Sequence, residues 1–241
     1  LNLGTGATVQ ASSVNLASSD AQLNISQGGA TNLINAGITG TEGTVNVNGG
    51  GTTILTGTGY YSGATKVASG STLQFGNALS SGTIGATSIQ NSGFVKFNNA
   101  GTTTFSGQIS GSGSLGQSGG TTILTGNNTF SGTTAIASGS TLQVGNGGST
   151  GALGNGDVVN DGSLLFNRVD ALTQSGAISG LGSVTKNGYG ELSLLGENSY
   201  TGSTTINAGT VQVGGGGNIG SISNSSAVSG TSSGTLAISR S

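Results

Sequence analysis

Apolar and polar residues alternate strictly in short runs that recur along this chain. In "STLQF" (71–75), "STLQV" (140–144) and "GTVQV" (209–213), alternation puts Leu73 with Phe75, Leu142 with Val144, and Val211 with Val213 on one face of a strand. Gln74, Gln143 and Gln212 then face the other way. "FVKF" and "SLLF" likewise turn Val95 with Phe97 and Leu164 with Phe166 inward and Lys96 outward. Gly70, Gly139 and Gly209 stand just before or at the start of three of these runs, where a corner needing positive φ favours a residue without Cβ. Helical periodicity is nowhere sustained, so the pattern predicts short strands joined by glycine corners.

The runs belong to a longer repeat. "GTTILTGTGYYSGATKVASGSTLQFGN" from Gly51, "GTTILTGNNTFSGTTAIASGSTLQVGN" from Gly120 and "GELSLLGENSYTGSTTINAGTVQVGGG" from Gly190 follow one another at an almost constant interval. The stretches between them repeat too: the segment from Gly85 matches that from Gly154, with one inserted residue near Tyr189. A looser copy starts at Ala21, and "GTLAISRS" at the C-terminus begins another. A period near 70 divides by three into roughly 23 residues, the size of one solenoid coil. The expected fold is all-β, a parallel β-solenoid with roughly three coils per super-repeat. Residues 1–241 form a single segment whose super-repeats start near Gly51, Gly120 and Gly190. About ten coils at 4.8 Å would make a rod of about 50 Å, with like residues stacked above like.

Composition narrows the chemistry. The 241 residues include 50 glycines, no Pro, Cys, His, Met or Trp, and only 7 acids against 5 bases. A net charge of −2 leaves no basic footprint for nucleic acid. Hydrophobic residues at 32%, recurring in ordered pairs, argue for a folded chain rather than a disordered Gly-rich tract. No apolar run is long enough to cross a membrane as a helix, and "LNLGTGATVQ" has no signal-peptide features, so the chain reads as an excerpt of a longer one.

Residues 176–215 carry a pattern, G-x-I-S-G-x-G-S followed by G-x-L-x-L-x-G-x-N-x-Y-x-G-x-T-x-I-x-x-G-x-L-x-V, that resembles the passenger-associated transport repeat of bacterial autotransporters. Ile178, Lys186, Leu192, Leu194, Asn198, Tyr200, Thr204, Ile206, Gly209, Val211 and Val213 sit on it. The earlier copies depart: Gln117 stands at the place of Lys186, and Tyr61 and Phe130 at that of Tyr200. The resemblance implies a right-handed parallel β-helix on a bacterial cell surface. It also implies secretion through a separate outer-membrane β-barrel and a role in assisting passenger folding and transport.

Candidate catalytic groups are few. "GSGSLG" (111–116) fits a dinucleotide fingerprint but no helix follows it, so it reads as a corner. Asp157 with Asp161, and Glu191 with Glu197, are the nearest acidic pairs for glycosidic-bond cleavage; the Asn-Asp-Gly context of Asp161 favours backbone hydrogen bonding instead. Without His no Ser-His-Asp triad can form, and the acids are too few for repeated calcium loops, so no metal or cofactor is expected. Lys66, Lys96 and Lys186 read as solvated faces. Tyr61, Phe130 and Tyr200 read as repeat packing before sugar contact. "NIS", "NNT" and "NSS" match glycosylation acceptors as Ser/Asn-rich chains do by chance.

The expectation is therefore a non-enzymatic stalk or adhesive segment outside the cell. Its nearly uncharged faces would pair with other copies, laterally or end to end, or with host or glycan surfaces. A subunit of an extracellular fibre or surface layer, favoured by uncapped coil edges, is the alternative, and a carbohydrate-active β-helix the weaker one.

Overall fold

The structure, a computed structural model, describes residues 1–85, 88–216, 220–222 and 227–239. The acceptor triplet beginning at Asn224 lies outside the described residues. Among them there is no helix, and the strands stack in parallel as a β-solenoid of about 11 turns. At 4.7–4.9 Å per rung that stack is about 50 Å long.

The strand registers fix the coil. One inward column runs Thr53, Leu73, Val95, Leu115, Thr134, Val158, Ile178. A second runs Thr122, Leu142, Leu164, Val184, Thr204 and ends in register at Val228, which is exposed. The mean step along these columns is about 21 residues, the size of one solenoid repeat and shorter than the expected division of the period by three. Three strand positions make each turn, as in Ile109–Ser110 followed by the two halves of the long strand Ser114–Leu124.

The super-repeat is therefore three turns and about a third. Leu115 lies three turns above Thr53, but the residue that repeats Thr53 is Thr122, further along the chain and one face round. Equivalent residues of successive super-repeats consequently do not stack, although like residues of neighbouring coils do, as Asn2 under Asn24 and Asn46, or Leu142 under Leu164. Tyr61 lies in the face of the strand Gly37–Gly40, Phe130 in that of Ile109–Ser110, and Tyr200 in that of Ile178–Ser179. Three matching aromatics thus enter the core from three directions.

Alternation places the core where the strand pattern puts it. Leu73, Phe75, Val95, Phe97, Leu142, Val144, Leu164, Phe166, Val211 and Val213 are all buried. Phe75 stacks on Phe97 at 5.2 Å between ring centroids, and Phe105 tilts against Phe97 at 5.7 Å. Gly70, Gly139 and Gly209 have φ of 76°, 76° and 72°. At Gly139 a Cβ would meet nothing within 4 Å, so the backbone angle alone selects glycine; at Gly209 a Cβ would also stand 2.4 Å from the Gly190 carbonyl oxygen.

Each super-repeat contains one long turn, from Thr65 to Ile89, from Thr134 to Val158 and from Thr204 to Val228. The extra length emerges after the Leu-Gln-Phe, Leu-Gln-Val or Val-Gln-Val strand as a surface loop. The outward Gln begins that loop: Gln74, Gln143 and Gln212 donate to the carbonyls of Gly76, Gly145 and Gly214 at 2.8, 2.8 and 3.2 Å.

Candidate functional site

The acids are the candidates for catalysis, and the fold gives each of the four a backbone or neighbouring partner. Asp157 Oδ1 accepts the Ala177 amide at 2.8 Å, and Asp161 Oδ1 accepts the Leu181 amide at 3.0 Å. Both bonds reach the next coil up, so these residues tie turns together rather than closing their own. They flank the strand Val158–Asn160, about 13 Å apart at 3.3 Å per residue, wider than the roughly 6.5–9.5 Å of an inverting glycosidase pair. Glu191 accepts the Ser193 hydroxyl at 3.0 Å and Glu197 accepts the Gly220 amide at 3.1 Å. No group of three or more metal-ligating side chains gathers among the described residues.

Buried polar side chains carry more of the architecture than the sequence suggests. Asn128 Oδ1 accepts the Ile109 amide of the coil below at 2.8 Å, while its Nδ2 donates to the Ala152 carbonyl of the coil above at 2.7 Å. Asn198 repeats this with Ile178 at 2.8 Å and Ser221 at 2.7 Å. One amide side chain thus fastens three successive turns. In the first super-repeat the position is Gly59, whose own amide donates to the Thr83 carbonyl at 2.7 Å.

Two further residues hold the surface loops. Arg168 is buried and donates to the Ser149 and Gly151 carbonyls at 2.8 and 2.6 Å, with Asp170 gripping the guanidinium from outside at 2.7 and 2.8 Å. That contact holds the Asp170 carboxyl below its usual range. Asn99, one super-repeat earlier, accepts the Gly82 amide at 2.9 Å and does the same for the first loop. The recurrence of a polar residue two places after Phe97 and Phe166 is the signal that sequence offers for them.

Lys186 corrects the reading of it as a solvated face. Its side chain is 2% exposed and donates to the Gly188 and Ala208 carbonyls, and burial pushes its ammonium below the usual lysine range. It replaces Gln117, which makes the matching bond to Gly119 at 2.9 Å but leaves its Oε1 without a hydrogen-bond partner. A lysine has donors only, so no buried acceptor is stranded. Lys66 is exposed and Lys96 half-buried, pointing outward.

The aromatics Tyr61, Phe130 and Tyr200 are 3%, 0% and 1% exposed, which removes them as glycan contacts. Tyr200 shares a 2.7 Å hydrogen bond with Thr204, and Tyr61 shares one with Thr65. Burial raises the Tyr200 phenol above its ordinary pKa.

With these four acids and the three repeat aromatics committed to the structure, the outer faces remain. The segments 42–75, 117–144 and 184–213 match the family model described as Passenger-associated-transport-repeat. Three passenger-associated transport repeats lie in this chain. Each spans about one and a half turns and contains one of the three aromatics and one of the three corner glycines. The protein named Adhesin BmaC autotransporter, from Brucella suis biovar 1 (strain 1330), is 50% identical over 54 residues, which is 22% of this chain and 2% of that relative. No solved structure matches.

Two shallow depressions, each of about 360 Å³, mark the outer surface of these repeats. The first follows an amide ladder in which Asn24 donates to Asn2 at 3.0 Å and Asn46 to Asn24 at 2.7 Å, continued by Lys66 and Gln90. The second has a floor of Gly116 and Ala135, with Lys96 and Phe94 toward one end and Val159 and Asp161 toward the other. Sequence alternation puts these residues outward; their succession in one column depends on the third-of-a-turn offset.

Proposed function

We propose that this chain is a non-enzymatic segment of a secreted bacterial surface protein, a rigid stalk that contributes adhesive contacts and whose repeats assist folding during export. The carrying observation is the three-fold match to the passenger-associated transport repeat in a chain whose repeats are continuous turns of one rod. The likeness to an autotransporter adhesin supports the cell-surface setting. Adhesion itself rests on the outer faces. Only 5% of residues are charged, and the outward columns carry mainly Thr, Ser, Asn and Gln, whose hydrogen bonds long-range repulsion does not oppose. The absence of enzymatic activity is supported by the acids, whose oxygens accept backbone amides or a neighbouring hydroxyl.

The test is deletion of residues 51–213 from the intact parent protein in its own bacterium, with protease accessibility and attachment to host cells as readouts. Loss of surface-exposed protein or of attachment is expected. Full display and full attachment without these coils would refute both the export and the adhesion reading.

A further inference from the structure

The second depression lies on an outward column in which consecutive rungs contribute Lys96, Gly116, Ala135 and Val159. Two very small residues between larger ones make the hollow. The Phe94 ring leans over Gly116, where a Cβ would stand 2.6 Å from its Cζ. Val159 is 41% exposed, an apolar surface that no other described part of the chain covers. Lys96 has no ion-pair partner among the described residues, where Arg168–Asp170 is the single pair. At the other end, three rungs or about 14 Å away, Asp161 uses Oδ1 for the Leu181 amide and is otherwise exposed.

We infer that this depression is a pairing site for a second copy of the same chain, in which Lys96 of each rod meets Asp161 of the other. The proposal deepens the adhesive side of the function proposed above, by naming a second copy as one partner, and rests on it. Opposite charges at the two ends make the surface complementary to itself. A two-fold axis lying in the contact plane, across the line from Lys96 to Asp161 at the middle of the hollow, exchanges the ends and sets the two rods roughly antiparallel. Phe94 of each copy then faces Val159 of the other, adding apolar contact between the charges.

Among the described residues the site occurs once. One super-repeat later the column reads Leu165, Thr185, Thr205 and Ser229, and Asp161 is replaced by Thr231. Association through this surface therefore stops at two rods and builds no fibre. Exposed ion pairs are weak, so the dimer forms at high local concentration, as on a crowded surface, and loosens with salt.

The test is sedimentation velocity of the 241-residue chain over a concentration series in low and high salt. A dimer that weakens at high salt is expected. Lys96→Glu and Asp161→Lys should each lower self-association more than about tenfold, since like charges then oppose each other twice. Mixing the two variants restores opposite charges at both contacts and should recover a dimer that neither forms alone. Because Asp161 also caps the Leu181 amide, Ala135→Arg, which fills the floor without entering the core, serves as a second disruptive variant. A wild type that stays monomeric, single variants that dimerise unchanged, a mixture that does not recover, or open-ended filaments would each overturn the proposal. None of these outcomes depends on display at the cell surface, which the deletion experiment reads separately.

Discussion

Asn128→Ala probes the device that joins turns. The substitution removes an acceptor from the Ile109 amide and a donor from the Ala152 carbonyl, bonds of 2.8 and 2.7 Å to the coils below and above. The side chain is 3% exposed, so water does not readily replace either bond. Each stranded buried group costs about 1–3 kcal/mol, and together they predict a loss of about 2–6 kcal/mol. In a solenoid that loss falls on the contacts between neighbouring turns, so it should show up locally as well as in global unfolding. Denaturant unfolding gives the magnitude, and hydrogen exchange gives the location. The amides of Ile109 and its neighbouring turn should exchange faster in the variant, with the matching turn at Ile178 unaffected. A loss below about 1 kcal/mol with unchanged protection at Ile109 would refute the three-turn clamp.

Further consequences follow from other buried groups. Tyr200→Phe, which makes the third repeat like Phe130, should cost only about 0.5–1.5 kcal/mol for the bond to Thr204, whereas Tyr200→Ala should cost about 3–5 kcal/mol in denaturant unfolding. Gly139→Ala should cost about 1–2 kcal/mol for its backbone angle alone, and Gly209→Ala more, because its Cβ meets the Gly190 carbonyl; equal costs by thermal unfolding would contradict that distinction. Lys186 is depressed by burial, so between its folded value and the ordinary 10.5 the unfolded chain binds more protons and stability rises with pH. Its destabilising charge is fully present below the folded value, and Lys186→Gln should flatten that rise in melting curves taken up to pH 10.5. Arg168→Ala releases the Ser149 and Gly151 carbonyls, and limited proteolysis should then cut within residues 145–151 sooner than in the native chain.

Strand faces are legible in the sequence because alternation has a period of two and glycine marks the corners. Alternation carried on from Val184 puts Lys186 inside with Gln117, so register outranks charge as a guide there, against the reading of a solvated lysine. Asp161 is expected to bond backbone, and it does, but to the next coil, a partner that local turn chemistry does not reveal. Coil length is harder. The interval from Gly51 to Gly120 fits three longer turns as well as three and a third shorter ones, and only the cross-strand registers separate them. Asn128 and Asn198 stand in the pattern, yet their bonds reach a full turn down and a full turn up, beyond what a motif shows.

That third of a turn decides what the outer surface can do. With a whole number of turns per super-repeat, each face would present the same residue every third rung, and any association by one face would recur along the rod. The offset instead brings residues from different parts of the repeat into one column: Ile54, Gln74, Lys96, Gly116, Ala135, Val159. The three faces share this order of positions but differ in starting height, so matching surfaces point in different directions and, among the described residues, no seam of identical residues runs the length of the rod; the Asn2–Asn24–Asn46 ladder is local to one end. Such seams are what let solenoids and fibrils zip together without limit. The interior tolerates the rotation because all three faces obey the same inward alternation and core residues need only be apolar and of suitable size. The outside does not repeat so freely, and a hollow with unlike ends can arise once among coils built from one sequence pattern.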